Sequence, residues 1–198
     1  MQARAIETRY KGYRFRSRLE ARWAVFFDNL GVDWEYETEG YNLGDAGWYL
    51  PDFYLPNIKD GLWVEIKAVK PTPQEDAKLL ALVDATGKCG TFRVGEPMIN
   101  VQLGEFSHLN NKHTDGSYHA DNAAMNLPNG GWDAPYIFCL CNHCGKVGFE
   151  FDGRGDRVCS TIDHSSHHGD KGYSGDHPKI LAAAYAARAA RFEHGSRT

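Results

Sequence analysis

The stretch from Tyr49 to Lys70, YLPDFYLPNIKDGLWVEIKAVK, constrains this chain more than any other. Two apolar and aromatic runs flank the turn-forming cluster PNIKDG, so the segment reads as strand, tight turn and strand. Asp52 follows Pro51 in the first run, and a proline there argues for a strand end or a sheet edge. Glu65 and Lys67 in the second run are two residues apart. Side chains alternate along a strand, so these two share a face while Val64, Ile66 and Ala68 point the other way, into a core. The tight turn makes the strands neighbours and can bring Asp52 alongside Glu65. Two close carboxylates repel, and one stays protonated unless a cation intervenes. A divalent ion reverses that cost, because hard cations take carboxylate oxygens. Lys67 beside such an ion could stabilise charge on a phosphate oxygen or position an attacking water.

The segment FRSRLEARWAVFFDNLG predicts a helix, with Leu19, Trp23, Phe26, Phe27 and Leu30 forming one apolar stripe. Ser17 can cap its start and Gly31 its end. On a helical wheel Glu20 lies about 20° from Phe27, at the edge of the stripe. If this helix packs on the strand face bearing Asp52 and Glu65, Glu20 becomes a third acidic group. Arg16, one turn earlier, could then reach a phosphate. Each residue also has a plain structural reading. Ser17-x-x-Glu20 is a capping box, Glu65 and Lys67 suit an ion pair on an exposed sheet face, and Asp52 suits a turn.

Around this pair of strands the chain predicts an earlier strand in VDWEYETE. A second helix in TPQEDAKLLALVDATG has a Thr72 cap, Pro73 at its first position, Glu75 for a capping box and Gly87 at its end. TFRV reads as a last short strand. The order through residue 95 is α-β-β-β-α-β, an α/β (α+β) arrangement. Residues 1–96 therefore form the core. Residues 97–135, rich in Gly, Asn, Asp and Pro, read as an irregular connection containing His108, His113 and His119. Residues 136–175 form a small cysteine- and histidine-rich module. Residues 176–198 close the chain as an Ala-rich helix, capped by Asp176 with Pro178 in its first turn. With 198 residues and 42% hydrophobic composition, one medium domain with a small appendage fits.

A net charge of -4 argues against a protein that coats DNA by charge alone. The distribution is uneven. Residues 1–22 hold seven Arg and Lys against Glu7 and Glu20, leaving +5, whereas residues 28–61 hold eight acids against Lys59, leaving -7. A basic arm with Arg14, Arg16 and Arg18 beside an acidic region suits a polyanion partner plus a cation site. No run approaches the ~20 apolar residues that span a bilayer, and the N-terminus is charged where a signal peptide is apolar. The expected location is the cytoplasm, of a bacterium or a phage-infected cell.

Four of the five cysteines, Cys139, Cys141, Cys144 and Cys159, crowd into residues 139–159. In a reducing compartment such clustering favours metal over disulfides. Cys141-x2-Cys144 has knuckle spacing, and Cys159 with His164 lies beyond VGFEFDGRGDRV, which reads as a hairpin. This is the layout of a zinc ribbon, with Zn²⁺ in a structural role because so small a module lacks its own core. His164 fits best as fourth ligand; His167, His168 and Cys139 are close alternatives. Lys146, Arg154 and Arg157 could add phosphate contacts, and Cys89 reads as a core residue.

The ordered set of helix Glu20, then Pro51-Asp52, then Glu65-Ile66-Lys67 resembles the PD-(D/E)xK nuclease superfamily. The resemblance spans residues 10–95, about half the chain. FRSRLEARW, PDFYLP and VEIK together are similar to phage-encoded nucleases, and more loosely to phage junction-resolving and transposon end-cleaving endonucleases. The resemblance implies a restriction-endonuclease-like core, a mixed sheet flanked by helices. It also implies Mg²⁺- or Mn²⁺-dependent hydrolysis of DNA phosphodiesters. Asp52, Glu65 and the Ile66 carbonyl would bind the metal, Glu20 would complete its site, and Lys67 would assist the water. An end-acting exonuclease fits the same motif. So does a branched-DNA resolvase, which would call for a homodimer, with the last helix as a candidate interface. The alternative outside enzymology is a non-catalytic DNA-binding module on a nuclease-like core.

Overall fold

The computed structural model describes residues 5–97, 125–126, 132–133, 136–141, 143–151, 173–174 and 177–192. In chain order, a hairpin of β1 (Thr8–Tyr10) and β2 (Tyr13–Phe15) leads into helix α1 (Arg18–Leu30). Strands β3 (Glu35–Tyr36), β4 (Tyr41–Asn42), β5 (Trp48–Tyr49), β6 (Phe53–Leu55) and β7 (Leu62–Lys67) follow. Helix α2 (Pro73–Thr86) and strand β8 (Cys89–Val94) come next. Beyond them lie β9 (Met125–Asn126), β10 (Trp132–Asp133), β11 (Tyr136–Cys141), β12 (Val147–Phe151), β13 (Tyr173–Ser174) and helix α3 (Pro178–Ala189). Among the described residues no helix is long and apolar enough to cross a membrane.

The PNIKDG turn sets the register of the central strands. Lys59 and Asp60 both adopt left-handed backbone, with φ of 53° and 57°, and the Gly61 N–H donates to the Ile58 carbonyl at 2.8 Å. Turns of this hand match the twist of the strands they join. Gly61 has φ of 116°, and a Cβ there would lie 2.3 Å from the Tyr54 hydroxyl. With that turn fixed, β6 and β7 pair antiparallel through Phe53–Val64, Tyr54–Trp63 and Leu55–Leu62. One further step in the same register sets Asp52 opposite Glu65.

Described strands form a mixed sheet in the order β10-β9-β8-β7-β6-β3. Within it β7 and β8 run parallel, joined by α2 as the crossover, and the other pairs are antiparallel. The two sheet faces carry different cores. Phe53, Leu55, Leu62, Val64 and Ile66 pack with α1, with α3 and with Phe138, Leu140 and Phe149 of β11 and β12. Trp63 and Phe92 pack with Leu79 and Leu82 of α2 on the other face, edged by Tyr41, Tyr49 and Tyr54. Ala21 and Ala24 on α1 and Ala183, Ala184 and Ala187 on α3 are fully or nearly fully buried in that first core, where small side chains let two helices approach closely. Trp23, Phe27 and Phe53 are almost completely buried, each contributing about 1.5–3 kcal/mol of transfer free energy.

Helix ends follow their sequence signals. Ser17 caps α1 and Gly31 ends it in the left-handed region; Thr72 and Glu75 form a complete capping box on α2, which Gly87 ends. Other expectations need correction. The VDWEYETE strand shrinks to Glu35–Tyr36, because Glu37 turns to φ of 45°. The first run, read as a single strand, is broken at Pro51, which has no N–H for a ladder, so that β5 ends at Tyr49 and β6 begins at Phe53. The β1–β2 hairpin was not anticipated, although its Lys11-Gly12 loop, flanked by Tyr10 and Tyr13, carries a two-residue turn signal. The connection after residue 97 contributes β9 and β10 to the central sheet. The cap of α3 is His177, whose Nδ1 accepts the Lys179 N–H at 3.1 Å, one residue later than the sequence suggested.

One correction bears on the site. Helix α1 packs on the Val64 and Ile66 face of β7, whereas Glu65 shares the opposite face with Trp63 and Lys67. Glu65 is 2% exposed and Lys67 beside it only partly exposed, so the picture of a solvated sheet face does not hold.

Candidate active site

Asp52 and Glu65 are both buried, at 3% and 2% exposure. Asp52 sits in the bend before β6, just past the last laddered pair. Its Oδ2 accepts the Ile66 N–H at 2.8 Å, and its Oδ1 accepts from Arg16 Nη2 at 2.5 Å. Burial pushes the Asp52 carboxyl well above the usual range, and the charges of Glu65 and Glu20 push it further, against the opposing pull of the Ile66 N–H and Arg16.

Glu65 Oε2 faces Lys67 Nζ at 3.5 Å, while Oε1 is buried and makes no hydrogen bond of ordinary geometry. Lys67 is itself half-buried, and its Nζ also meets Glu75 Oε1 at 3.0 Å. Burial alone would lower the Lys67 pKa, but Glu65 and Glu75 outweigh it and hold the ammonium charged. Glu75 thus has two tasks: its carboxylate closes the α2 capping box on Thr72 and steadies Lys67 from the next helix. Sequence reasoning found the first task and missed the second, which depends on where α2 returns over the sheet. Tyr49 stands on the same side, its phenol pKa pushed well up by burial, by the Glu65 charge and by hydrogen bonding to Glu65.

Glu20 is 7% exposed at the first turn of α1, and both its oxygens are engaged. Oε1 accepts from Ser17 Oγ at 2.6 Å; Oε2 accepts from Tyr36 Oη at 2.6 Å and from the Arg16 N–H at 3.1 Å. The structure brings Glu20 near enough for Asp52 to sense its charge, but its contacts are with the helix start and Tyr36. Tyr36 was not singled out in the sequence. Only its burial between Arg16 and Glu20 marks it, and that burial, with the Glu20 charge, raises its phenol pKa strongly.

The three arginines of the basic arm differ. Arg14 is exposed and pairs with Glu7 at 2.6 Å. Arg16 reaches inward to Asp52 and also pairs with Glu37. Arg18 opens α1 and is half-buried. Among the described residues, no group of three His, Cys, Asp or Glu side chains converges as a ready-made metal cage.

At the cysteine module, Cys141 ends β11 and is buried, and Cys144 is exposed in the following turn. The Gly145 N–H donates to the Cys141 carbonyl and the Cys141 N–H to the Lys146 carbonyl, both at 2.9 Å. Gly145 takes φ of 70°, which lets the chain fold back within four residues. The sequence-predicted ligands Cys159 and His164, with the alternatives His167 and His168, lie outside the described residues, as do Arg154, Arg157 and Asp176. Cys139 is buried on β11, two residues before Cys141. The module also shares the main core: Phe138 and Phe149 stack near Trp23, and the Arg93 guanidinium of β8 sits 5.3, 5.6 and 5.5 Å from the rings of Trp23, Phe138 and Phe149. No family model, curated protein or solved structure matches this chain.

Proposed function

We propose that the chain is a divalent-cation-dependent endonuclease that hydrolyses DNA phosphodiester bonds. The observation that carries this reading is the buried pair Glu65 and Asp52: Glu65 Oε1 makes no hydrogen bond of ordinary geometry, and it lies beside the raised carboxyl of Asp52. Leaving such an oxygen unsatisfied costs about 1–3 kcal/mol or more. A hard cation held by Asp52, Glu65 and the Ile66 carbonyl would satisfy it. When bound, that ion would polarise a phosphoryl oxygen and lower the pKa of a water.

The chain's own residues would do the rest. Lys67, kept charged between Glu65 and Glu75, would stabilise negative charge developing on the phosphate or hold a water by hydrogen bonding. Glu20 and Tyr36 fix the start of α1, and with it the arginine arm. Arg14, Arg16 and Arg18 would contact the sugar–phosphate backbone, a contribution that weakens as salt rises. Cys141 and Cys144 would hold a structural Zn²⁺ together with Cys159 and His164.

The test is plasmid cleavage by wild type and Lys67→Ala at low salt with Mg²⁺, Mn²⁺ or EDTA, alongside linear duplex and a four-way junction. The expected result is cation-dependent nicking or linearisation by wild type and a loss of about a hundredfold or more in the variant. Preference for ends or for the junction would narrow the reading to an exonuclease or a resolvase. If neither protein cuts and both bind DNA equally, a non-catalytic DNA-binding module takes its place.

A further inference from the structure

Both oxygens of Asp52 are engaged, and only one of the two donors can leave. The Ile66 N–H belongs to a central strand and is fixed. Arg16 is different. Its backbone N–H is pinned between Glu20 Oε2 and Tyr36 Oη, both at 3.1 Å, but its side chain is 54% exposed and reaches Asp52 from the solvent side. The Arg16 guanidinium also pairs with Glu37, whose side chain is more buried than its own, at 20% exposure. A positive charge that is anchored at its root, half-exposed along its side chain and seated on the Asp52 carboxylate can be exchanged for another.

We propose that Arg16 is the resting occupant of the cation position, displaced from Asp52 when a divalent ion arrives and thereby released to bind a phosphate of the nucleic-acid strand. The proposal rests on the metal-dependent reading above and adds an order to it: cation first, phosphate grip second. Before displacement, the arginine offsets the charge that two buried carboxylates would otherwise leave uncompensated. Afterwards the ion does so, and the guanidinium has its planar fork of donors free for a phosphate. Competition for one carboxylate has a definite thermodynamic sign. Removing the guanidinium should tighten cation binding when no nucleic acid is present. An arginine that merely oriented Asp52 for the metal would have the opposite effect.

Mn²⁺ binding to the full chain, read from the free-ion electron paramagnetic resonance signal without nucleic acid, tests this directly. Wild type, Arg16→Met, Arg16→Gln and Asp52→Asn are compared, the last giving the background from any other site. The arginine variants should bind Mn²⁺ about fivefold or more tightly than wild type, within the usual range of coupling between sites. In a second measurement with Ca²⁺ as the ion, their affinity for a duplex oligonucleotide should fall about tenfold at constant salt, and without a cation it should change little. Equal or weaker Mn²⁺ binding in both arginine variants overturns the exchange while leaving the metal site standing. If wild type and the arginine variants bind no more Mn²⁺ than Asp52→Asn, the exchange and the metal-dependent reading fall together.

Discussion

The Ile66 N–H donates to Asp52 Oδ2 across 2.8 Å, tying the bend before β6 to the strand that carries Glu65 and Lys67. This bond holds a carboxylate against a second buried carboxylate, and the strand pairing enforces the arrangement. The fold therefore carries a local electrostatic cost, which on the metal-dependent reading proposed above a bound cation would relieve.

That cost has a pH dependence. Burial, then Glu65 and Glu20, raise the Asp52 pKa above its ordinary value of 3.8. Between the ordinary and the raised value, the folded chain keeps a proton that the unfolded chain has released. The contribution of Asp52 to stability is thus fully present below about pH 4 and is lost as pH rises through the folded-state value. Asp52→Asn carries no such proton. Urea unfolding at a series of pH values should show the variant gaining on wild type from about pH 4 upward. Saturating Mg²⁺ should close the gap by stabilising wild type alone. A pH-independent difference would mean that Asp52 ionises as freely in the fold as out of it.

Glu20 separates a helix-start role from a ligand role. Glu20→Ala leaves Tyr36 Oη and Ser17 Oγ without their acceptor, takes one of two acceptors from the Arg16 N–H, and should cost about 2–3 kcal/mol in urea unfolding. Glu20→Gln keeps an acceptor and should recover more than half of that. With its oxygens already committed, the Gln variant should cleave plasmid within about tenfold of wild type. A hundredfold loss with unchanged stability would instead make Glu20 a metal ligand.

These contrasts mark what the sequence could and could not convey. Helix caps are local, so Ser17, Gly31, Thr72, Glu75 and Gly87 announce themselves within four residues of one another or of a periodic stripe. Asp52 and Glu65 were legible together because a short turn with its own chemistry fixes their register. The face on which α1 packs was not legible: both faces of β7 are apolar enough to be buried, and alternation cannot say which one meets which helix. Arg16 illustrates the same limit. An arginine before a helix reads as a phosphate contact, while its pairing with Asp52 depends on a residue 36 positions away.

Arg93 joins the central sheet to β11 and β12. It is 3% exposed, with its guanidinium within 5.6 Å of three aromatic rings. Arg93→Ala should empty that space and cost about 2–4 kcal/mol. Arg93→Met, which refills it and suits aromatic neighbours, should cost less than half as much. Thermal unfolding of the three proteins gives the order; equal losses in both variants would show that charge, and not volume, matters there.

Cys144 offers a sharp test of zinc because it is exposed. Replacing an exposed cysteine by serine ordinarily changes stability by no more than about 0.5 kcal/mol. A thiolate that closes a zinc site is another matter, since the binding free energy of a structural ion is folding free energy. Zinc released from the purified chain, measured with a colorimetric chelator, should amount to about one equivalent in wild type and fall several-fold in Cys144→Ser. The same variant should lose several degrees of thermal stability, as should wild type treated with a strong chelator, and the two losses should not add. Because Phe138 and Phe149 belong to the main core, the effect should spread beyond the module and appear in the single unfolding transition of the whole chain. A Cys144→Ser protein that melts with wild type and carries no less metal would reduce the Cys141–Cys144 turn to an ordinary hairpin closed by two backbone hydrogen bonds.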